Sequence, residues 1–101
     1  MTRSRFLELA ELELEEAIAY FNGQVEGLGD RFEREVEATV ALIMEHPQIG
    51  SPITKRVRKF RVRKFKHKVI YIVDGDEIII IAVAHHKRRP RFWRHRIPPK
   101  L

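Results

Sequence analysis

The residues of this sequence that are best suited to chemistry are basic and lie in its second half. Lys59, Arg61 and Arg63 recur at a spacing of two, which places them on one face of a strand. An ammonium group can stabilise a phosphate oxygen, and a guanidinium can hold two phosphate oxygens at once. The pattern therefore indicates a basic row that could bind a phosphate group.

Two histidines and two arginines follow the last strand-like stretch. His85 or His86 could transfer a proton, because imidazole titrates near neutral pH, and Arg88 or Arg89 could complete a phosphate site. RNA cleavage without a metal requires deprotonation of the 2′-hydroxyl, stabilisation of the phosphorane, protonation of the 5′-oxygen and in-line positioning. The candidate catalytic residues for such a nuclease are Lys59, Arg61, His85 and Arg88.

The two histidines cannot both serve one site if the strand continues through them. Adjacent residues of a strand point to opposite faces, so one of His85 and His86 is then structural, and the sequence does not say which. For the same reason they are a poor metal pair, and no third ligand is spaced to help. No metal and no cofactor is expected.

The other prominent side chains have structural interpretations. A cationic strand face is often solvated, or it binds an acidic partner. Tyr71 lies in a strand-like stretch and is interpreted as a core residue. Phe92 and Trp93 could stack on nucleic-acid bases, but anchoring of the tail against a sheet is the favoured interpretation. The acidic residues of the first helix are interpreted as a solvated surface; they are Glu11, Glu13, Glu15 and Glu16.

Charge is divided unevenly along the 101 residues. Residues 1–50 hold four basic and eleven acidic residues, a net charge of −7, whereas residues 51–101 hold sixteen basic and three acidic residues, a net charge of +13; together they give +6. This division predicts a surface that binds a polyanion or an acidic protein. The hydrophobic fraction of 44% indicates a folded chain, and its length suits one domain over residues 1–101.

The composition also bears on location. Without cysteine the chain has no disulfide framework and no thiolate metal site, which fits a reducing cytoplasm. The longest apolar run, Ile78 to Ala84, is too short to span a bilayer, and no basic-then-apolar signal peptide is present. We therefore expect a cytoplasmic protein with no membrane partner.

A helical hairpin is predicted in the first half, after a short strand from Arg3 to Glu8. Helical periodicity begins at about Ala10, and Gly27 or Gly29 is expected to end this helix. Asp30 is predicted as the N-cap of a second helix, which Pro47 and Gly50 terminate. The apolar stripe of the first helix is Leu14, Ala17, Ile18, Phe21 and Val25. The stripe of the second is Phe32, Val36, Thr39, Val40 and Ile43.

Three strands are predicted in the second half, over residues 55–65, 68–73 and 77–84. Asp74-Gly75-Asp76 separates the last two and is typical of a hairpin turn. The run Ile78–Ile81 indicates a central strand covered on both faces. The predicted fold is α+β, in the order β-α-α-β-β-β, with a curved antiparallel sheet packed against the N-terminal helical hairpin.

Several segments, in this order, resemble the RelE/ParE superfamily of toxins from type II toxin–antitoxin systems. The resemblance covers nearly the whole chain and ends in a histidine followed by arginines. The segments that carry it are Ala17-Ile18-Ala19-Tyr20-Phe21, Gly27-Leu28-Gly29-Asp30-Arg31-Phe32, His46-Pro47-Gln48-Ile49-Gly50, Val57-Arg58-Lys59-Phe60, residues 65–71, Ala82-Val83-Ala84-His85, Arg88-Arg89-Pro90 and Trp93.

The resemblance implies a toxin that a cognate antitoxin neutralises by folding around it. It also implies one of two targets. ParE-like toxins poison DNA gyrase, whereas RelE-like toxins cleave messenger RNA in the ribosome without a metal. The two long helices and the Gly-Leu-Gly link are more similar to the ParE side, so gyrase is the first hypothesis and ribosome-bound mRNA the alternative. A general nucleic-acid-binding module is a third hypothesis, which depends on the charge division alone.

Overall fold

The computed structural model describes residues 2–97 and 99, and its elements follow the predicted order. A strand and two helices come first: β1 Arg3–Phe6, α1 Glu8–Gln24 and α2 Leu28–Glu45. Four strands and a short 3-10 helix follow: β2 Ser51–Pro52, β3 Val57–Arg61, β4 His67–Asp74, β5 Glu77–His85 and the helical turn Arg94–Arg96. The predicted α+β class is confirmed, with the two-residue β2 as an addition.

The link between the helices differs from the prediction. Gly27 has a φ of 84° and precedes α2 directly, so the left-handed turn that only glycine adopts easily begins the helix at Leu28. Asp30 was predicted as the N-cap and instead lies in the first turn of α2. There its negative charge interacts favourably with the positive end of the helix dipole. Val25 was assigned to the buried stripe, but it follows the end of α1 and is exposed.

The predicted stripe of α2 is confirmed, because all five of its residues are buried. The remaining four residues of the α1 stripe are partly buried and pack against the same core. At the tip of the hairpin the amide of Gly29 donates to Oδ1 of Asn22 at 2.7 Å, which holds the start of α2 against α1. The hairpin thus presents one continuous apolar side to the sheet.

The sheet has the strand order β1-β5-β4-β3-β2. Neighbouring strands are antiparallel except for β1, which pairs parallel with β5 from Arg3 opposite Glu77 to Phe6 opposite Ile80. The sheet is therefore mixed and not wholly antiparallel as predicted. Short turns connect β3 to β4 and β4 to β5, so these neighbouring strands must be antiparallel. The helical hairpin connects β1 to the rest of the sheet, and a long connection of this kind also allows β1 to pair parallel with β5.

A β-bulge interrupts the pairing of β4 with β5. Ile70 is opposite Ala82 and Tyr71 is opposite Ile80, so Ile81 has no partner on β4. An extra residue moves every later side chain of the strand to the other face of the sheet. The hairpin turn itself is Gly75-Asp76, since Asp74 pairs with Glu77, and Gly75 adopts a φ of 61°.

The two faces of the sheet have different covers. The helical hairpin packs on one face, here called the helix face, over Val69, Tyr71, Ile78, Ile80 and Val83. The C-terminal segment packs on the other face, here called the tail face. Its sheet residues include Ile70, Ile72, Ile79, Ile81, Ala82 and Ala84. All four residues of Ile78–Ile81 are fully buried, which confirms a strand covered on both faces.

Phe92 and Trp93 are buried on the tail face, which confirms that they anchor the C-terminal segment. Tyr71 is fully buried on the helix face, as predicted for a core residue. Neither α1 nor α2, the α-helices of the described residues, combines the length and apolar character that crossing a membrane requires.

Candidate functional site

A concave basic pocket of about 600 Å³ opens beside β3 and β4. We call it the basic pocket. Two residues of the predicted basic row line it, together with cationic and imidazole side chains from β4, the β3–β4 turn and the end of β5. The lining residues are Ser51, Lys59, Phe60, Arg61, Lys66, His67, Lys68 and His86.

Strand register positions the cationic side chains of this pocket. Arg61 is opposite Lys68, and Lys59 is opposite Ile70, which belongs to the tail-face core. Directly opposite residues of an antiparallel pair share a face, so Lys59, Arg61 and Lys68 all lie on the tail face. Arg63 was predicted to extend the row, but β3 ends at Arg61 and the chain turns there.

The cations of the pocket repel one another. Partial burial and the neighbouring charge of Lys59 lower the pKa of Lys68. Within the described part of the chain no carboxylate lines the pocket. Such a concentration of unneutralised positive charge in a concave site favours an anionic ligand.

The bulge at Ile81 decides which histidine reaches the basic pocket. Beyond it, Ala84 faces the tail side, whereas His85 faces the helix side opposite His67. The strand ends at His85, and His86 turns into the pocket, with Nδ1 3.2 Å from the carbonyl oxygen of Lys66. The rings of His85 and His86 lie only 4.4 Å apart, so the strand alternation considered for this pair does not extend to His86.

His67 connects the pocket to the hydrophobic core. Its ring contacts the rings of Phe21 and Phe32 with centroid separations of 5.5 and 4.9 Å. Burial lowers the pKa of His67 to about 4, with smaller contributions from the charges of His85 and His86. The pKa of His85 is also lowered, by desolvation and then by its basic neighbours. His67 is therefore neutral in the folded protein near neutral pH.

Arg88 is held away from the basic pocket. Its guanidinium donates to Oε2 of Glu13 at 2.7 Å and stacks over the ring of Phe92, 4.0 Å from the ring centroid. Glu13 also pairs with Arg96, and its side chain is only 13% exposed. Glu13 was interpreted as a solvated residue, and that interpretation is wrong because two arginines from the tail enclose its carboxylate.

The structure thus brings two of the four candidate catalytic residues together, Lys59 and Arg61. His85 and Arg88 lie elsewhere, and Arg89 is exposed outside the pocket. The pocket gains Lys66, Lys68 and His86. Lys68 was missed, although the pairing of β3 with β4 would have placed it opposite Arg61. In chemical terms the pocket can hold phosphate oxygens, and of its two imidazoles, His67 and His86, the exposed His86 is the better placed for proton transfer.

Over residues 2–97 and 99 no group of three or more His, Cys, Asp or Glu side chains is arranged to hold a metal ion. The imidazoles of His67 and His85 meet edge to face, and those of His85 and His86 are tilted by 32°.

Several solved structures are similar to this chain in fold. The chain is similar to a protein of the chromosomal ParDE toxin–antitoxin system from P. aeruginosa, at 14% identity and a TM-score of 0.62 over 84% of this chain and 96% of that one. It is similar to the isolated RelE toxin of E. coli, at 16% identity and a TM-score of 0.66 over 94% and 95%. It is also similar to YoeB from Staphylococcus aureus, crystallised as a dimer, at 15% identity and a TM-score of 0.59 over 84% and 97%.

At these identities the likeness shows the fold alone, and a comparison with curated proteins found no match. The family assignment rests on a sequence model instead. The model of the ParE toxin of the type II toxin–antitoxin system, parDE, matches residues 5–90, which include both helices, strands β2 to β5 and the basic pocket. The chain belongs to the ParE toxin family of type II toxin–antitoxin systems, within the RelE/ParE superfamily.

Proposed function

We propose that this toxin arrests growth in the cytoplasm by binding and poisoning DNA gyrase, without catalysing a reaction of its own. The family match to ParE toxins supports this target. The observation that carries the proposal is that the four candidate catalytic residues do not all lie in one pocket. His85 faces the helix side and Arg88 is engaged by Glu13, so neither lines the basic pocket with Lys59 and Arg61.

The helical hairpin is the surface proposed to contact gyrase. Its outer side exposes several large apolar side chains, of which Tyr20 and Val25 near the tip are the most exposed, at 62% and 60%. Exposed apolar and aromatic side chains surrounded by charged residues are typical of protein interfaces. Leu9 and Leu12 extend this apolar surface along α1.

The experiment compares two variants in a gyrase supercoiling assay and in a growth assay. Tyr20→Ser with Val25→Ser changes the hairpin tip, and Lys59→Ala with Arg61→Ala changes the basic pocket. We expect the wild type and the pocket variant to inhibit supercoiling and to trap cleaved plasmid DNA, and the tip variant to lose both effects. Full supercoiling activity in the presence of an excess of the wild-type toxin would exclude gyrase.

A second candidate function is metal-free cleavage of ribosome-bound mRNA, and the basic pocket favours it. Lys59, Arg61 and Lys68 would stabilise the phosphorane, and His86 would take the proton-transfer role predicted for His85. After a short pulse of expression, 5′ ends of mRNA are mapped across the transcriptome. New ends at fixed codon positions that disappear in the pocket variant would establish this mechanism; intact messages during growth arrest would exclude it.

A cognate antitoxin follows from membership of the family. A short open reading frame next to the gene, whose product restores growth on co-expression, would identify it. General nucleic-acid binding predicts strongly salt-dependent association with DNA or RNA and no effect on growth. Growth arrest on expression therefore separates both toxin mechanisms from this third hypothesis.

A further inference from the structure

The acidic and basic parts of the sequence lie on opposite faces of the sheet. Residues 8–45, which form the helical hairpin, hold eleven acidic and two basic residues, a net charge of −9. Residues 86–97 pack on the tail face and hold six lysines and arginines and no acidic residue. Lys59, Arg61 and Lys68 lie on that same face. Charge is therefore divided across the sheet, with the positive side at the C-terminal segment.

Four cations of the C-terminal segment are exposed and carry no counterion. Within the described part of the chain they form no ion pair, whereas Arg88 and Arg96 share the carboxylate of Glu13. We call these four residues the basic tail; they are Lys87, Arg89, Arg91 and Arg94. His86, which directly precedes them, lines the basic pocket. The basic tail is thus a second cationic surface that begins where the pocket ends.

The backbone that carries the basic tail is fixed against the sheet. Phe92 and Trp93 are 9% and 3% exposed and anchor the segment in the tail-face core. Beside them the amide of Arg94 donates to the carbonyl oxygen of Arg91 at 3.0 Å. Arg91 has a φ of 64°, a left-handed conformation that an arginine rarely adopts. Because the backbone is already ordered, a ligand of these cations has little backbone entropy to offset.

The side chains of the segment distinguish between kinds of nucleic acid. Proteins that bind single strands stack the unpaired bases on exposed aromatic rings. Phe92 and Trp93 are buried, and the charged groups that the segment exposes are all cationic. A guanidinium holds two phosphate oxygens at once, and contacts to phosphate do not depend on the base sequence. This surface therefore suits the phosphate backbone of a duplex better than unpaired bases.

We propose that the basic tail binds the phosphate backbone of duplex DNA, whatever its sequence. The choice of DNA rests on the proposed function, because gyrase acts on duplex DNA. The helical hairpin, the surface proposed to contact gyrase, lies on the opposite face of the sheet from the basic tail. One toxin molecule can thus contact the enzyme with its acidic face and the enzyme's DNA with its basic face.

The probe is a fluorescein-labelled DNA duplex of about 20 base pairs, two helical turns. Its binding to the purified toxin, without gyrase, is measured by fluorescence anisotropy from about 50 to 200 mM salt. Four phosphate contacts release counterions, so the logarithm of the binding constant should fall with the logarithm of the salt concentration at a slope of roughly −3 to −4.

Two variants and a matched control test the surface. Arg89→Gln with Arg94→Gln removes two cations of the basic tail, and we expect about tenfold or more weaker binding and a slope smaller by about two. The control, Arg31→Gln with Arg34→Gln, removes two exposed arginines of α2 and should bind as the wild type does. Arg91→Gly removes a third cation and relieves the left-handed backbone. It should unfold at no lower temperature than the wild type and still bind DNA more weakly, which misfolding could not explain.

Three outcomes would overturn the inference. The first is equal binding by the wild type and by Arg89→Gln with Arg94→Gln, or a loss confined to Lys59→Ala with Arg61→Ala, which would move the DNA to the basic pocket. The second is tighter binding of a single-stranded RNA of the same length. The third is displacement of the duplex by poly-glutamate as readily as by unlabelled DNA of the same total charge, which would indicate an acidic protein as the partner.

The binding assay and the gyrase assay separate this inference from the proposed function. A toxin that binds the duplex through the basic tail but leaves supercoiling intact would refute the gyrase target and retain the inference. A toxin that inhibits gyrase, and whose Arg89→Gln with Arg94→Gln variant still binds the duplex fully, would retain the target and refute the inference.

Discussion

The carboxylate of Glu13 and the guanidinium of Arg96 form an ion pair at 2.7 Å across 83 residues of sequence. Both side chains are largely enclosed, at 13% and 7% exposure. The pair lies beside the bulge, where β1 has ended and β5 has no neighbouring strand on that side. Glu13 accepts the amide of Val83 at 3.2 Å, and Arg96 donates to the carbonyl oxygen of Ile81 at 3.0 Å. Two side chains thus take the hydrogen-bonding positions of a missing strand.

Removal of this carboxylate is expected to destabilise the whole fold. Glu13→Ala leaves Arg96 buried without its counterion and the amide of Val83 without its acceptor. The expected loss in the free energy of unfolding is about 2 to 4 kcal/mol, measured by urea denaturation. Glu16→Ala removes an exposed carboxylate of the same helix and should cost less than about 0.5 kcal/mol. Equal stability of the two variants would contradict a structural role for Glu13.

Alanine at two glycines is expected to have opposite effects. A Cβ at Gly50 would lie 2.6 Å from Oη of Tyr71 and 2.8 Å from the carbonyl oxygen of Lys59. The same hydroxyl accepts the amide of Gly50 at 2.9 Å and donates to Pro47 at 2.8 Å, so it cannot move freely. Gly50→Ala should therefore destabilise the fold by about 1 to 3 kcal/mol.

Gly23 is the matched control for Gly50. It lies within α1, and a Cβ there would meet open space. Alanine loses less conformational freedom than glycine on entering a helix, so Gly23→Ala should stabilise the protein by up to about 1 kcal/mol. Thermal unfolding of both variants shows whether each one is more or less stable than the wild type. A stabilised Gly50→Ala variant would contradict the described Tyr71 contact.

Acid is expected to destabilise the protein through His67. Burial lowers the pKa of His67 from its ordinary value of 6.5 to about 4. Between these pH values the unfolded chain binds a proton at His67 and the folded chain does not, so the free energy of unfolding falls as the pH is lowered through this window. The imidazole is in part accessible to water, and we expect a loss of about 1 to 2 kcal/mol between pH 7 and pH 4.

His67→Phe tests this origin of the acid sensitivity. The phenyl ring cannot titrate, and it can replace the imidazole against Phe21 and Phe32. Urea denaturation across the same pH range should show a smaller loss for this variant than for the wild type. His95→Gln, an exposed change in the C-terminal segment, should follow the wild type. Parallel curves for wild type and His67→Phe would assign the acid sensitivity to other groups.

The basic pocket is expected to be dispensable for toxicity if gyrase is the target. Lys59→Ala with Arg61→Ala removes two exposed charges and little buried surface, so the variant should fold. Colony counts after induction should fall as far as with the wild type. Arg63→Ala with Lys64→Ala removes the same charge outside the pocket. Loss of toxicity in the pocket variant alone would favour RNA cleavage.

Much of the fold could be predicted from the spacing of apolar residues, because the burial of one face of a helix or strand determines that spacing. The stripe of α2 and the run Ile78–Ile81 are buried as expected, since apolar side chains at helical or strand spacing have one physically favourable arrangement. The hairpin at Gly75 was also expected, because its backbone requires a positive φ. Such signals are local in the sequence.

The errors have non-local causes. Glu13 resembles its exposed neighbours in sequence, and only the return of the tail brings Arg88 and Arg96 to it. Asp30 has the sequence of an N-cap, but the left-handed turn at Gly27 starts the helix earlier. His85 lies on the helix side because one extra residue in β5 reverses the alternation of side chains between the two faces. No residue type in the isoleucine run indicates that a bulge occurs there.

The bulge at Ile81 has a consequence for the comparison of relatives. A relative that lacks this one residue would have a regular strand, and in an alignment without a gap its residue aligned with His85 would lie on the tail face. A sequence alignment without a gap would then equate two histidines that lie on opposite sides of the sheet. The histidines of such a relative are comparable with those of this chain only when a single-residue gap is placed in the isoleucine run, several positions before the histidines themselves.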